Sequence, residues 1–482
     1  MESLDPDEAT RHAWLAAAGE VVRVHLDAVH GAPTQPRPHA LTDRPAIGEA
    51  PLAGGIGAAL AHVEAAAEAS LSATAPGFMA YIPGGGLLAG AVADFVAAVL
   101  NRYTGIAEAA PGLVALENDV LEWLCREMGY GPSAAGLFTS GGSLATLLAV
   151  TSARDAHAGP DTDLRTLVAY TSAEAHGSVF TAFRLAGLPS ANLRAVAVDD
   201  CRRMDAEALR DQVRADRAAG LRPFLVIAAA GTTNTGAIDP LVETAGICAD
   251  EGLWLHVDGA YGGAFALCDE GRRRLRGIER ADSITLDPHK GFFLHYGTGC
   301  VLFRAGPPRG LAEGDHDEAY LQDLQPAAGV GSQLGPAAFG LELTRPFRGL
   351  RLWLPLMLHG AAAFREQLSE KLALAKRLED GLRSMAADGS PIEVVAPAQL
   401  SVVPFRLSRR PGEALAQWNA RNAAFLEAIN DRRRTFLSST MLSDVGGSVL
   451  TLRACVLSHR TQAQHIAHGL EDIAAAEALQ SQ

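Results

Sequence analysis

Short apolar runs alternate with stretches of ten to fifteen residues of helical periodicity between about residue 87 and residue 305. This alternation is typical of βαβ units, and short runs that are nearly all apolar indicate strands covered by helices on both faces. The predicted strands are Thr166–Tyr170, Arg194–Val198, Phe224–Ala229, Leu253–Val257, Ser283–Leu286 and Gly299–Phe303. The pattern therefore predicts an α/β domain built on a mostly parallel sheet.

Both ends of the chain follow other patterns. Asp5-Pro6 predicts a helix start, with the helix running toward Gly31, and Pro- and Gly-rich loops surround a second helix over Gly57–Leu71. From Phe347 a long helical pattern leads into two strand-like segments, 400–407 and 449–455. We expect a helical N-terminal arm (1–86), a large domain (87–346) and a small α+β domain (347–482).

Composition limits the possible partners. The 482 residues carry 41 Lys+Arg against 55 Asp+Glu, a formal net charge of −14, and 48% are hydrophobic. An acidic chain of this kind argues against nucleic-acid binding and against disorder. The acidic N-terminus does not resemble a signal peptide, and the most apolar stretch, Leu87–Leu100, is interrupted by Asp94. Six widely spaced cysteines predict neither disulfides nor a metal site, so we expect a cytoplasmic protein away from membranes.

Two charged residues follow predicted strands. Asp258 ends the run Leu253-Trp-Leu-His-Val-Asp, and Lys290 comes just after Ser283–Leu286, 32 residues further on. Ligands bind at the carboxyl edge of open α/β sheets, where both would lie. Taken alone, an aspartate there is more often a turn residue and a lysine is usually solvated.

Together they form a specific pattern. His256-Val-Asp-Gly-Ala-Tyr-Gly-Gly, followed by Asp287-Pro-His-Lys, resembles the pyridoxal phosphate-dependent amino-acid decarboxylases of group II, which include aromatic-L-amino-acid, glutamate and histidine decarboxylases. Four further segments resemble motifs of that family in the same order: Phe138–Ser143, Ala175–Val179, Gly231–Thr233 and Arg348–Trp353. The resemblance extends from about Pro76 to about Arg460 and implies a fold-type I large domain.

The resemblance implies pyridoxal 5′-phosphate as cofactor, held by Lys290 as a Schiff base. Loss of CO₂ from the substrate leaves a carbanion at Cα, which is tolerable only if its electrons flow into a protonated pyridine ring. An ionised carboxylate beside the ring nitrogen keeps that nitrogen protonated. Asp258 fits this role.

The cofactor's phosphate needs N–H donors. Gly141 and Gly142 allow close backbone approach, and a helix predicted to begin at Ser143 offers its first free amides and a hydroxyl. We therefore expect these three residues to bind the phosphate.

The remaining cofactor contacts come from the resemblance alone. It implies that His176 stacks on one face of the ring while Ala260 packs against the other. It places Thr232 at the phenolic side of the cofactor, and His289 near the phosphate or the substrate carboxylate. His176 and His289 are expected to take part in catalysis.

A tyrosine on a long loop reprotonates Cα in this family. Here Tyr320 lies thirty residues past Lys290, in the stretch 306–336, which has no clear secondary-structure pattern. We assign Tyr320 as the proton donor; the alternative is a buried anchor for the loop.

Three residues are expected to contact the substrate by resemblance: Tyr81, Gly84 and Arg345. Gly84 stands where aromatic decarboxylases usually have a hydroxyl residue, which predicts a pocket that is wider or lacks a hydrogen-bond donor and weakens the match to an aromatic substrate. Asp287 stands where many relatives have Asn, and its charge should repel a phosphate. Gly291 replaces a bulky residue, which predicts looser packing or room for another subunit.

These observations predict decarboxylation of an L-amino acid, best matched by an aromatic one, to the amine and CO₂. Acidic and aliphatic amino acids stay open, as do an aldehyde synthase, an aminotransferase and a non-catalytic cofactor-binding protein. Relatives of this fold type are homodimers with active sites at the subunit interface. An amphipathic arm without a core of its own agrees with a homodimer here.

Overall fold

A seven-stranded sheet forms the centre of the larger domain. The computed structural model of the chain describes residues 4–36, 45–159, 161–306, 335–444 and 446–480. The strands are β1 (Ala135–Thr139), β2 (Leu167–Ser172), β3 (Leu193–Val196), β4 (Arg222–Ala229), β5 (Trp254–Asp258), β6 (Ser283–Leu286) and β7 (Gly299–Phe303). They lie in the order β1-β7-β6-β5-β4-β2-β3, and β7 runs against its two neighbours while the other pairs are parallel. The predicted α/β fold is confirmed.

The six predicted strands all form, with each end within about two residues of its expected place. β1 was not predicted. Its five residues include Gly136 and no β-branched run, so periodicity gives little signal, and the strand is instead placed by antiparallel pairing with β7, as in Leu137 opposite Val301.

Helices cover both faces of this sheet and precede it. They are α1 (Glu8–Ala28), α2 (Gly55–Glu68), α3 (Leu88–Leu100), α4 (Pro111–Glu127), α5 (Gly142–His157), α6 (Gly177–Leu185), α7 (Ala206–Ala218), α8 (Leu241–Glu251), α9 (Asp269–Arg274) and the single turn α10 (Pro288–Gly291). The first helix starts later than predicted. The Asp7 carboxylate, not that of Asp5, caps it by accepting the Thr10 N–H at 2.8 Å, and Pro6 lies outside it.

The second sheet has four antiparallel strands in the order β10-β11-β9-β8. Its strands are β8 (Ile392–Val394), β9 (Val402–Leu407), β10 (Ser438–Asp444) and β11 (Gly447–Cys455), and its helices are α11 (Gly349–Ala387), α12 (Leu415–Asn430) and α13 (Ala463–Gln480). Gly360, with φ +72°, interrupts α11. This is the small α+β unit that the sequence predicts.

The N-terminal arm is not uniformly separate from the core. α1 buries none of its residues, as expected of an arm. Phe78 and Met79, in contrast, are 3% and 1% exposed, and Met79 donates its N–H to Phe436 O at 2.9 Å and accepts that of Cys455 at 2.7 Å. The end of the arm around Phe78 and Met79 therefore belongs to the core beside β11, because its apolar side chains are buried there and its backbone groups form hydrogen bonds there.

The carboxyl ends of β1, β2, β4, β5 and β6 all meet at one edge of the larger sheet, since these strands run in the same direction. Every cofactor motif named above follows one of those five strands.

Among the helices of the described ranges, none is long and apolar enough to cross a membrane.

His256 of β5 makes stability depend on pH. It is fully buried, its Nδ1 and Nε2 pair with the hydroxyls of Ser283 and Thr285, and burial lowers its pKa to about 4. In the unfolded chain the His256 ring is protonated below about pH 6.5, whereas in the folded protein it stays neutral down to about pH 4. The free energy of unfolding therefore decreases as the pH falls from 7 through this range.

We expect the free energy of unfolding to fall by about 2 kcal/mol more in the wild type than in His256→Asn between pH 7 and pH 5. Urea unfolding at the two pH values measures this difference. Equal losses in the two proteins would show that His256 has the same pKa in the folded and unfolded states.

Candidate active site

One cavity of about 360 Å³ lies at the carboxyl edge of the larger sheet. Its walls include all nine residues that the sequence assigned to the cofactor: Gly141, Gly142, Ser143, His176, Thr232, Asp258, Ala260, His289 and Lys290. These residues come from five different strand ends, so the fold brings together what the sequence holds up to 149 residues apart.

The predicted phosphate loop follows β1. α5 begins at Gly142, one residue earlier than predicted, and the Gly141–Ser143 segment that lines the cavity therefore includes the first amides of the helix, which have no partner within it. A Cβ at Gly142 would lie 3.0 Å from Asp287 Oδ2 and 3.2 Å from the Ala260 Cβ. Glycine at this position therefore allows the two walls of the cavity to approach each other closely.

Asp258 is the last residue of β5. Its Oδ1 accepts the N–H of Ala260 at 3.1 Å, and its backbone carbonyl accepts the N–H of Ala230 at 2.9 Å. The carboxylate is thus fixed at the strand end by the turn that also carries Ala260, and both residues line the cavity.

Lys290 lies in the short turn α10. Its Nζ is 2.9 Å from Oδ2 of Asp287, which is 4% exposed. Asp287 was expected to matter through repulsion of a phosphate; the structure instead gives its charge a lysine as partner. Its Oδ1 is buried and has no hydrogen-bond partner within the described residues.

Gly291, the residue after the lysine, leaves no spare room. A Cβ there would lie 2.4 Å from the Ala264 Cβ. The expectation of looser packing at Gly291 is therefore wrong, because helical turn α10 packs directly on the segment after β5.

His176 caps α6. Its Nδ1 accepts the Ser178 N–H at 3.1 Å and pairs with the Ser178 hydroxyl at 2.8 Å, which fixes the ring at the cavity wall. A ring nitrogen that accepts a backbone N–H is unprotonated, so a neutral His176 carries its proton on Nε2.

Thr232 stands in the loop after β4, next to Gly231 with φ +103°. Its hydroxyl accepts the Ala237 N–H at 3.1 Å and pairs with the Thr235 hydroxyl at 2.9 Å. These bonds close the loop on itself and hold Thr232, 3% exposed, at the cavity wall.

Two of the predicted substrate residues, Tyr81 and Gly84, do not line the cavity. Tyr81 is 57% exposed, with φ +55°, and donates its N–H to Ser438 Oγ at 3.0 Å. A Cβ at Gly84 would lie 2.9 Å from His289 O and 3.0 Å from the Tyr296 ring. The wider pocket predicted from Gly84 is wrong, since the Tyr296 ring occupies that space.

Arg345 does not reach the cavity. It pairs with Glu117 at 2.6 Å, and both side chains are 1% exposed; the other Glu117 oxygen accepts the N–H of Gly349. This buried pair joins α4 to the start of α11, which gives Arg345 a structural position instead of the predicted substrate contact. Tyr320 lies outside the described residues.

Sequence reasoning missed Arg453 of β11. It is 3% exposed and donates to Thr233 O at 2.6 Å and to Ser438 Oγ at 3.0 Å, beside the loop that carries Thr232. Burial lowers its pKa, and within the described residues it has no carboxylate partner. The sequence could have indicated this residue, because Arg453 is the one charged residue in the apolar run 449–457, and a buried charge needs polar partners.

Comparison with known proteins identifies the family of the chain. Residues 64–408 match the pyridoxal-dependent decarboxylase conserved domain. The chain is 36% identical over 391 residues to an aromatic-L-amino-acid decarboxylase of Bacillus atrophaeus, covering 81% of this chain and 79% of that protein. It is 28% identical to phenylacetaldehyde synthase of Arabidopsis thaliana, with 81% and 79% covered.

A solved structure agrees over the whole length. The crystal structure of Oryza sativa TDC with PLP and tryptamine superposes with a TM-score of 0.87 at 26% identity, covering 99% of each chain. The chain offers an amine, a carboxylate and a glycine-rich helix start around one cavity, which suits the aldehyde, pyridine nitrogen and phosphate of the cofactor. The protein therefore belongs to the pyridoxal-dependent decarboxylase family and is a pyridoxal phosphate-dependent carboxy-lyase that acts on an amino acid.

Proposed function

We propose that the protein converts an aromatic L-amino acid to the corresponding amine and CO₂. The observation that carries this proposal is the meeting of Lys290, Asp258 and the Gly141–Ser143 loop around one cavity. The aromatic preference is supported by the relative from Bacillus atrophaeus, whose name specifies aromatic substrates.

Each group of residues has one task in this proposal. When bound, pyridoxal phosphate supplies an electron-accepting ring for the bond that breaks at Cα. Lys290 provides the amine that would hold the cofactor, and the amino group of the substrate would displace this amine from the cofactor. Asp258 keeps a proton on the ring nitrogen, and the first amides of α5, with Ser143, neutralise the phosphate.

The other residues orient the reacting groups. His176, held by Ser178, and Ala260 confine the ring from its two faces. Thr232 and His289 add polar contacts at its edge, in line with their places on the cavity wall. The Cα bond that breaks is the one held perpendicular to the ring plane, so loss of CO₂ additionally requires contacts that hold the substrate carboxylate out of that plane.

An aldehyde synthase is the main rival, since two of the relatives bear such a name. Such an enzyme consumes O₂ and water and releases CO₂, ammonia, peroxide and an aldehyde. The retained His176 favours amine formation. The role of Tyr320 as the donor of a proton to Cα stays a prediction from the sequence.

Incubation with a panel of L-amino acids tests the proposal. The panel contains Trp, Tyr, Phe, His, Glu and Leu, and CO₂, amine, aldehyde, peroxide and keto acid are measured for each. We expect CO₂ and amine in equal amounts from at least one aromatic substrate. Release from Glu or Leu alone would overturn the aromatic assignment, and keto acid without CO₂ would overturn decarboxylation.

We further propose that two copies associate through the outer face of α3. Leu88, Val92, Phe95 and Val99 are 43–69% exposed and follow one side of the helix at spacings of three and four. α3 also begins beside the active-site lysine segment, because the Leu87 N–H donates to Phe293 O at 2.9 Å. A second copy on this face would therefore lie next to the active site.

Val99→Glu should convert a dimer into a monomer, because it places a charge at the most exposed of the four positions of this apolar face. Light scattering after gel filtration should give twice the 50.4 kDa chain mass for the wild type and one chain mass for the variant. Leu479→Glu, at a site 63% exposed near the C-terminus, is the matched control and should stay dimeric. A wild-type monomer would refute the dimer.

The cytoplasmic location also stays a prediction. Six free cysteines, five of them buried, support a reducing compartment.

A further inference from the structure

His289 is held by one carbonyl. Both its backbone N–H and its ring Nδ1 lie within hydrogen-bond distance of Thr298 O, at 3.2 and 2.7 Å. A carbonyl only accepts, so Nδ1 carries the proton. Burial lowers the pKa of His289, which favours the neutral ring, and the lone pair is then on Nε2.

The position of Nε2 matters because His289 lines the cavity beside Lys290. Nε2 lies 3.7 Å from Asp287 Oδ2, too far for a hydrogen bond. An unprotonated nitrogen at this wall is able to accept a proton or a hydrogen bond from a bound amino acid. Rotation of the ring or exchange of the proton between nitrogens would remove that acceptor.

The carbonyl of Thr298 is itself positioned from α11. Arg351 Nη1 donates to Gly297 O at 2.9 Å and to the Thr298 hydroxyl at 3.2 Å. Gly297 has φ +94°, so this turn has a left-handed backbone that needs glycine. Arg351 and Thr298 are 8% and 0% exposed, so these contacts are shielded from bulk water.

Arg351 is in turn oriented by α3. Its Nε donates to Asp94 Oδ1 at 2.7 Å, and the other oxygen of Asp94 lies 3.4 Å from His295 Nε2. A continuous chain of polar contacts therefore runs from α3 through Arg351 and Thr298 to His289.

We propose that Arg351 is a positioning residue for His289. By fixing the Gly297–Thr298 turn, it keeps the proton of His289 on Nδ1 and the acceptor nitrogen Nε2 at the cavity wall. The role of His289 in the reaction rests on the proposed function. Its ring state, meaning which ring nitrogen carries the proton, does not depend on that function. A plain ion pair between α11 and α3 would stabilise the fold and leave the ring state unchanged.

Arg351→Ala is compared with Arg365→Ala, a matched control on the same helix that loses an ion pair with Glu127 far from the turn. Long-range ¹H–¹⁵N spectra of histidine-labelled protein, assigned with His289→Asn, report the protonated nitrogen without substrate. We expect Arg351→Ala to lose the Nδ1–H state and to lower kcat by about tenfold or more, with Arg365→Ala unchanged in both.

The pH profile of kcat gives a second readout. The charged and titratable groups around His289 are Asp287 and Lys290 beside it, His295 and Tyr296 after it, Arg351 on α11 and Asp94 on α3; the Tyr296 ring centroid lies 5.8 Å from that of His289. The acid limb of the profile should move in Arg351→Ala and return toward the wild type in Arg351→Lys, which restores a donor at this site.

Thr298→Val is the second variant if Arg351→Ala does not fold. At nearly constant volume it removes the Thr298 hydroxyl, which is one of the two groups of the Gly297–Thr298 turn that Arg351 contacts. It should shift the His289 signals in the same direction by a smaller amount. Wild-type His289 signals in Arg351→Ala, or in Thr298→Val if that is the variant that folds, would overturn the proposal. A protein that releases no CO₂ from any amino acid, yet shows the Arg351-dependent ring state, would refute only the proposed function.

Discussion

Lys290→Ala should abolish decarboxylation, with turnover reduced on the order of 10⁴-fold or more. Lys290 is the only lysine at the cavity, within the described residues, and its amine is held 2.9 Å from Asp287 at the end of β6. Without it the cofactor has no covalent attachment and the substrate has no amine to displace. Amine formation, measured with excess pyridoxal phosphate, checks this result.

The chain offers a direct control for this variant. It contains only three lysines, Lys290, Lys371 and Lys376. Lys376 is exposed on α11 and pairs with Asp380, so Lys376→Ala should retain wild-type turnover. Substantial amine formation by Lys290→Ala would mean that another residue carries the cofactor.

Asp258→Asn should lower turnover on the order of a hundredfold or more while leaving the cofactor bound. The amide has nearly the same shape and is still able to accept the Ala260 N–H, so the strand end should keep its structure. It has no negative charge to hold a proton on the ring nitrogen, and the ring then accepts electrons poorly. kcat and the absorbance of the bound cofactor, measured on the same sample, separate the two effects.

Asp250→Asn, at an exposed position on α8, is the matched control and should have no effect on either measurement. If Asp258→Asn instead lost the cofactor but recovered full turnover when pyridoxal phosphate was added, the carboxylate would serve binding alone.

The fold was predictable because the signals that define it are local. Phe224–Ala229 is apolar throughout, and Asp258 and Lys290 meet at one sheet edge because β5 and β6 run parallel. β1 escaped prediction because its place depends on pairing with β7, about 160 residues away in the chain.

The substrate side was less predictable for the same physical reason. Gly84 implied space, but the Tyr296 ring fills that space from a distant segment. Arg345 implied a carboxylate ligand, but Glu117 of α4 supplies the carboxylate. Whether a polar residue faces a ligand or a neighbouring side chain depends on tertiary contacts, which the motif order does not contain.

Attachment of the cofactor to Lys290 is the most direct test of the account. The purified protein is incubated with pyridoxal phosphate, reduced with borohydride and digested, and the pyridoxyl mass is located among the peptides. We predict the label on the peptide that contains Lys290, with the exposed Lys376 as an internal measure of non-specific reaction. An unlabelled Lys290 peptide, or equal labelling of Lys290 and Lys376, would contradict the assignment of this site.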